Sequence, residues 1–381
     1  MDSRLLRIWL SEKNAVTPVR AMLLEDHFGS IDEVYAAGLE DYKEVEGISK
    51  TAALALCDKS LDGAEKILSE CDMLGIKILT CRDKEFPKAL TVISAPVGVM
   101  YYMGELPDWD SMFGIAVVGT RRCSEYGQMV SERISRELAE AGVTIISGMA
   151  RGIDSFALKA SLRVGGKTIA VMGCGLDSAY PPENRSLMDE IIENGCALSE
   201  YPPYSPPNKI HFPARNRIVC GISDGVLAVE APQPSGTLIT AGLARESGKP
   251  LFAVPGNIYN KNSKGTNYLI KGGAQAVTCA QDILDAFPIR ASRLVPPEKK
   301  KKKEETASPI PEQNSKRLAE LSERERNVAL ILMQKDMHIE ELSARSKLTI
   351  AELNAVMPML EIAGVARKLA GSRYKYLPEE E

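Results

Sequence analysis

Two arginines stand directly behind a glycine in the run Gly119-Thr120-Arg121-Arg122-Cys123-Ser124. Glycine lets a backbone approach a ligand closely, and a helix starting just beyond would offer unpaired N–H groups to an anion. Guanidinium forks beside such a turn pair with phosphates or stack on bases. A second cluster runs from Tyr201 to Arg217, through Lys209, His211, Phe212, Arg215, Asn216 and Arg217. Cations interleaved with aromatic rings make a stacking platform for exposed bases, and the prolines at 202, 203, 206 and 207 would hold such a loop extended. A structural cap packed by Tyr201 and Phe212 is the competing reading. Three further segments carry glycine beside polar groups: Ser147 to Asp154 with Arg151, Gly173 to Asp177, and Ser235-Gly236-Thr237, which would open a helix as another anion cradle.

Several chemistries are disfavoured. The first glycine run is neither GxGxxG nor GxxxxGK[ST], and Ser147 occupies the place where a dinucleotide fold needs an acidic residue for the ribose, so no nucleotide cofactor is expected. The eight cysteines form no CxxC pair and only three histidines accompany them, so no metal site is expected. Cys196 and Cys220 sit in or beside apolar runs as reduced, buried thiols would, which fits the cytoplasm. The net charge of −4 supplies no general attraction to polyanions, so any nucleic-acid binding must be local. No signal peptide or apolar span of about eighteen residues is found.

The elements that must position these groups fall into zones. With 44% hydrophobic and 26% charged residues in 381, the chain reads as an ordinary globular protein of two or three domains. Residues 1–75 show helical periodicity in Leu5, Ile8, Trp9, Leu54 and Leu56, giving a small SAM/helix-hairpin-helix-like domain. Val45-Glu46-Gly47-Ile48-Ser49 is either a phosphate-meeting hairpin or a plain helical turn. Residues 76–289 form an α/β, Rossmann-like parallel-sheet core, with apolar runs at 115–118, 143–146, 168–172, 197–199, 225–229, 251–254 and near Ala276 as candidate strands. Most are followed by glycine, serine or proline, and ligands of open α/β sheets sit at that carboxyl edge. Residues 290–315, with five lysines from Lys299 to Lys303, read as a charged linker. Residues 316–378 read as three helices and a small ribbon, a winged helix.

The motifs Gly119-Thr-Arg, SGMARGID from Ser147, GCGLDSAYPPENR ending at Arg185, SEYPP from Ser199, HFPARNRI from His211, VEAPQPSGTLITA from Val229 and VPGN at Val254 closely resemble the DprA/Smf family. The resemblance covers roughly residues 115–275. It implies a non-enzymatic, homodimeric single-stranded DNA-binding protein that helps load the recombinase RecA during natural transformation. It also implies a single-strand pocket using Arg121, Lys209 and Phe212, with Arg151, Arg215, Asn216 and Arg217 in matching motifs. With the loop groups, the expected DNA-binding set is Gly119, Thr120, Arg121, Arg122, Arg151, Lys209, Phe212, Arg215, Asn216, Arg217, Ser235, Gly236 and Thr237. One departure stands out: Leu158 lies where the family often has a histidine.

The tail differs in charge. Basic and acidic residues balance from Lys316 onward, and Thr349 to Ile362, the expected recognition helix, has no cation. A major-groove reader normally needs cations there, so a protein-contact role is expected, with Arg367, Lys368, Arg373 and Lys375 leaving weak duplex binding. The alternative for the core is a nucleotide phosphoribohydrolase. Their signature resembles PGGxGTxxE, but Thr240 holds the place of the glutamate; Asp154, Asp177, Glu200 and Glu230 are the carboxylates expected at the crevice.

Overall fold

The computed structural model describes residues 2–297, 321–333, 336–346, 348–369 and 372–377. The lysine run at 299–303 and the rest of 298–320 lie outside the described residues. The chain divides into two compact units, Met1–Lys300 and Lys301–Glu381.

The first unit opens with six helices: α1 (Ser3–Glu12), α2 (Pro18–Phe28), α3 (Ile31–Ala36), α4 (Leu39–Glu44), α5 (Lys50–Leu56) and α6 (Asp62–Leu74). Polar residues cap several of them, since Asp2, Thr17, Ser30 and Ser49 each accept from a first-turn N–H. Leu6, Ile8, Trp9, Leu24, Tyr42 and Leu56 are fully buried among them.

Then β1 (Lys77–Thr80), β2 (Val99–Gly104) and β3 (Gly114–Val118) lead into alternating elements: α7 (Glu125–Glu140), β4 (Thr144–Ser147), α8 (Ile153–Arg163), β5 (Thr168–Met172), α9 (Arg185–Asn194), β6 (Gly195–Ser199), α10 (His211–Gly221), β7 (Gly225–Ala228), α11 (Gly236–Glu246), β8 (Leu251–Ala253), α12 (Lys264–Lys271), β9 (Gln275–Ala276), α13 (Ala280–Leu284) and α14 (Pro288–Ala291). The sheet order is β1-β2-β6-β5-β4-β3-β7-β8-β9. Pairs from β6 through β9 are parallel, whereas β1 and β2 add an antiparallel edge. Every residue of β3 to β8 is buried. Helices cover both faces, which is why these strands appear in the sequence as unbroken apolar runs. From β3 the chain steps outward to β6 and then returns to place β7 on the other side of β3. That reversal opens a crevice at the carboxyl edge between β3 and β7.

One expectation is corrected here. The segment to Arg217 is not an extended loop throughout: α10 starts at His211. Pro213 is tolerated because it lies in the first turn, where its missing N–H has no intrahelical partner to lose.

The second unit contains α15 (Glu323–Leu332), β10 (Met337–His338), α16 (Ile339–Ser346), α17 (Ile350–Ile362), β11 (Ala366–Leu369) and β12 (Arg373–Tyr376). Its sheet runs β10-β12-β11, antiparallel. Ser322 with Glu325 and Thr349 with Glu352 form capping boxes. Val328, Leu332, Leu342, Leu353, Met357 and Leu360 make its core. Ile350, Met359 and Ile362 are exposed on α17. Among the described residues no helix is long and apolar enough to cross a membrane.

Candidate single-strand cleft at the sheet edge

The loop after β3 is shaped by contacts rather than by its own propensity. A side chain at Gly119 would run into Ile153, at 2.4 Å from its Cγ1. Gly152, at φ +77°, brings the start of α8 against the Thr120 carbonyl, which accepts from the Ile153 N–H at 3.3 Å. Beneath the loop, Glu230 is buried and saturated. Its carboxylate accepts from the Ser124 N–H (2.9 Å), the Ser124 hydroxyl (2.5 Å) and the Asn262 amide (3.2 Å), while its backbone carbonyl accepts from the Thr120 N–H (2.8 Å). Asn262 also donates to the Arg122 carbonyl at 2.9 Å. The backbone of residues 120–124 is thus fixed, and the side chains of Arg121 and Arg122 are left exposed with no ion pair among the described residues.

Opposite, the N-terminal turn of α10 presents Phe212. Its ring lies against Gly173, where a Cβ would come within 2.9 Å of it. It stacks on Tyr180 with centroids 5.2 Å apart at 28°, and the Arg121 guanidinium lies over it, 5.3 Å from the centroid. Tyr180 is a site residue that the sequence reading passed over; an aromatic residue in a loop at the strands' carboxyl edge was the available signal. The loop after β4 contains Met149, fully buried and at φ +54°. A non-glycine residue there is strained. Asn184 holds it, donating to the Met149 carbonyl at 2.9 Å and to the Ser155 hydroxyl at 2.8 Å.

The remaining expected residues separate into free and committed groups. Lys209 is exposed and forms no ion pair among the described residues. Arg151 is exposed but paired with Glu183, with a 3.0 Å contact from Nη2 to Oε2. Arg215 is 4% exposed, its Nη1 donating to the Gly148 carbonyl at 2.9 Å while Nε has no partner. Burial pushes this guanidinium down to about 10, with the Asp154 charge opposing that shift and Arg121 adding to it. Burial likewise pushes Asp154 up, against the charge of Arg215 and N–H groups of Ala150, Gly148 and Gly119. Arg217 is turned elsewhere: it donates to Glu200 (2.6 Å) and to the Ala95 carbonyl (2.8 Å). Its neighbour Asn216 faces the cleft. His211 stacks on Tyr201 at 3.9 Å.

One cleft of about 750 Å³ runs from Tyr180 and Phe212 past Arg121, Arg122, Lys209, Arg215 and Asn216 to Ser235, Gly236 and Thr237; Arg151, Arg217, His211 and Tyr201 do not line it. Asp154 is the carboxylate on its wall. This corrects the expectation that four carboxylates reach the crevice. Glu230 is spent on the loop, Glu200 on Arg217, and Asp177 on the Tyr204 N–H at 2.7 Å. Thr240, in the glutamate position of a phosphoribohydrolase, is 1% exposed, with its hydroxyl directed to the Gly236 carbonyl. Among the described residues Asp154 is the one carboxylate lining the cleft, whereas acid/base hydrolysis uses a pair. Among the described residues there is no cluster suited to a metal ion.

Comparison with known proteins gives the chain's relatives. Residues 77–288 match the family described as DNA recombination-mediator protein A, and residues 312–372 match the DprA winged helix domain. The chain is 32% identical to Protein Smf of Synechocystis sp. over 96% of this chain and 98% of that protein. It is 46% identical to the DNA processing protein DprA of Streptococcus pneumoniae over 51% of this chain and 68% of that one. The crystal structure of DprA from Streptococcus pneumoniae superposes with a TM-score of 0.67 at 35% identity, covering 75% of this chain and 99% of that one. A Helicobacter pylori DNA processing protein A, whose structure is described in terms of a unique single-stranded DNA binding mode, superposes with a TM-score of 0.51 at 35% identity, covering 56% of this chain and 96% of that one.

Proposed function

The chain belongs to the DNA recombination-mediator protein A family, the DprA/Smf proteins, and from that premise we propose that its cleft grips single-stranded DNA and catalyses nothing. The observation that carries this is the stack of Tyr180, Phe212 and Arg121 beside the unpaired cations Arg122 and Lys209. Unstacked bases offer π-faces to such a platform whatever their sequence, and a charged groove tracks the backbone. A base entering the stack displaces the Arg121 guanidinium from the Phe212 ring, freeing it to meet a phosphate. Gly119 and Thr120 shape the loop that carries Arg121, Asn216 reaches the strand from α10, and Arg151 exchanges Glu183 for a phosphate. Arg215 and Arg217 act from behind, the first bracing the Gly148 loop and the second anchoring α10.

In this reading the protein works in the cytoplasm as a homodimer, protects incoming single strands and passes them to RecA in natural transformation and recombination. The family membership supports those roles. The lack of any cation on α17, together with its exposed Ile350, Met359 and Ile362, supports a protein-contact role for the winged helix rather than groove reading.

Fluorescence anisotropy with labelled single-stranded and duplex oligonucleotides at two salt concentrations tests the proposal, using the wild type and an Arg121→Ala, Lys209→Ala double variant. Single strands should bind more tightly than duplex, with log K falling against log salt by about 0.7 per phosphate neutralised, and the double variant should lose most of that binding. Absence of binding in the wild type would overturn the proposal and call for a test of ribose phosphate release from a purine monophosphate.

A further inference from the structure

We propose that the end of the cleft at the N-terminus of α11 is a phosphomonoester site, which takes the terminal phosphate of a strand or the phosphate of a free nucleoside monophosphate. The inference rests on the single-strand reading above and adds a specific ligand group at one end of the same cleft. Four observations carry it.

The first is the helix start. Ser235 is the N-cap of α11, yet its hydroxyl makes no capping hydrogen bond; the oxygen is buried without any partner. A serine here normally satisfies a first-turn N–H; the Leu238 N–H turns instead to the Ser235 carbonyl at 3.2 Å, and the Gly236 and Thr237 N–H groups stay available to an anion at the positive end of an 11-residue helix. The second is Thr237. It is 6% exposed, makes no hydrogen bond with its side chain among the described residues, and what surface it keeps faces the cleft. A hydroxyl at the cleft wall without a protein partner keeps its donor and acceptor for a ligand.

The third is Gly236. Its φ is not in the left-handed region, and a Cβ there would meet no protein atom within 4 Å. Neither backbone conformation nor packing calls for glycine, and the missing side chain leaves the first N–H of the helix open to the cleft. The fourth is charge and shape. Four cations, Arg121, Arg122, Lys209 and Arg215, line the cleft against Asp154. Behind the α11 end stand Val219 and Thr240, each 1% exposed, and the Asn262 bridge to Glu230. A wall there suits the end of a strand better than a strand passing through, and a terminal phosphate carries close to two charges at neutral pH where a diester carries one.

The test is isothermal titration of the full chain with short oligothymidylates bearing a 5′-phosphate, a 3′-phosphate or hydroxyls at both ends, and with thymidine monophosphate and thymidine. One phosphorylated end should bind about fivefold more tightly than the hydroxyl-ended strand, and the ratio should fall toward one in Thr237→Val. That variant removes a hydroxyl that has no protein partner while keeping the side chain's shape, so its melting temperature should not drop. Thymidine monophosphate bound in preference to thymidine, with strand ends making no difference, supports the site with a free nucleotide as its ligand. Equal binding of all three strands, with no preference for the monophosphate, overturns the inference while the single-strand reading stands. If no strand binds, the single-strand reading fails, and the monophosphate against thymidine alone decides the site.

Discussion

The Arg121 guanidinium rests over the Phe212 ring, 5.3 Å from its centroid, so that the first glycine loop and the first turn of α10 meet across the crevice through a cation and an aromatic face. With Tyr180 stacked on the same ring, the platform exists before any strand arrives, and little side-chain ordering is left to be lost on binding.

Replacing Phe212 should therefore weaken single-strand binding. Phe212→Ala should cost about 1–3 kcal/mol by anisotropy, whereas Phe212→Tyr should keep most of the affinity. An alanine variant that binds as the wild type does would remove the stacking claim.

Arg121 and Arg217 should separate cleanly. Arg121→Ala should lower affinity and reduce the salt slope by about 0.7 with only a small drop in melting temperature, since the side chain is exposed, forms no ion pair among the described residues and lies over the Phe212 ring. Arg217→Ala strands Glu200, whose side chain is only 22% exposed. It should lower stability by about 1–3 kcal/mol with a smaller effect on the salt slope. Thermal melts beside salt titrations of both variants read the difference; a reduced salt slope for Arg217→Ala with an unshifted melt would contradict the assignment.

Glu230 accepts three hydrogen bonds, and an amide in its place would point its N–H₂ at a donor. Glu230→Gln should destabilise the protein by about 1–3 kcal/mol and loosen the loop bearing Arg121. Wild type incubated with a purine monophosphate should release no ribose phosphate. Release in the wild type that Glu230→Gln abolishes would favour the hydrolase reading instead.

The winged helix should be dispensable for gripping single strands. α17 carries no cation, so a chain ending at residue 320 should hold single strands within about threefold of the full-length affinity and lose little duplex binding, because groove readers depend on basic recognition helices. A large loss of single-strand affinity in filter binding would assign the tail a direct contact.

The central strands were legible because burial on both faces makes them continuous apolar runs, and Thr168–Met172 has the same bounds in sequence and structure. β1 and β2 were not. They form the antiparallel extension of the sheet ahead of the βα repeats, one led by an exposed lysine and the other ending in half-buried residues, so neither shows the unbroken burial of the central strands. α10 was hidden by proline, and with it the roles of its arginines. Side chains two residues apart on a helix point about 200° away from one another, which sends Arg215 into the Gly148 loop and Arg217 toward Glu200. Spacing alone showed a dense run of cations; the helical phase separates Arg215 from Arg217, and Lys209, in the turn ahead of the helix, forms no ion pair among the described residues. The Glu230–Asn262 bridge joins residues far apart in the chain, and nothing local announces it.

The most direct measurement is ultraviolet cross-linking of a short oligothymidylate to the full chain, followed by mass mapping of the modified peptides. The account predicts adducts on the segments carrying Tyr180 and Phe212, suppressed by excess unlabelled strand and lost in the Arg121→Ala, Lys209→Ala variant. Adducts confined to the N-terminal helices or to the winged helix would contradict it.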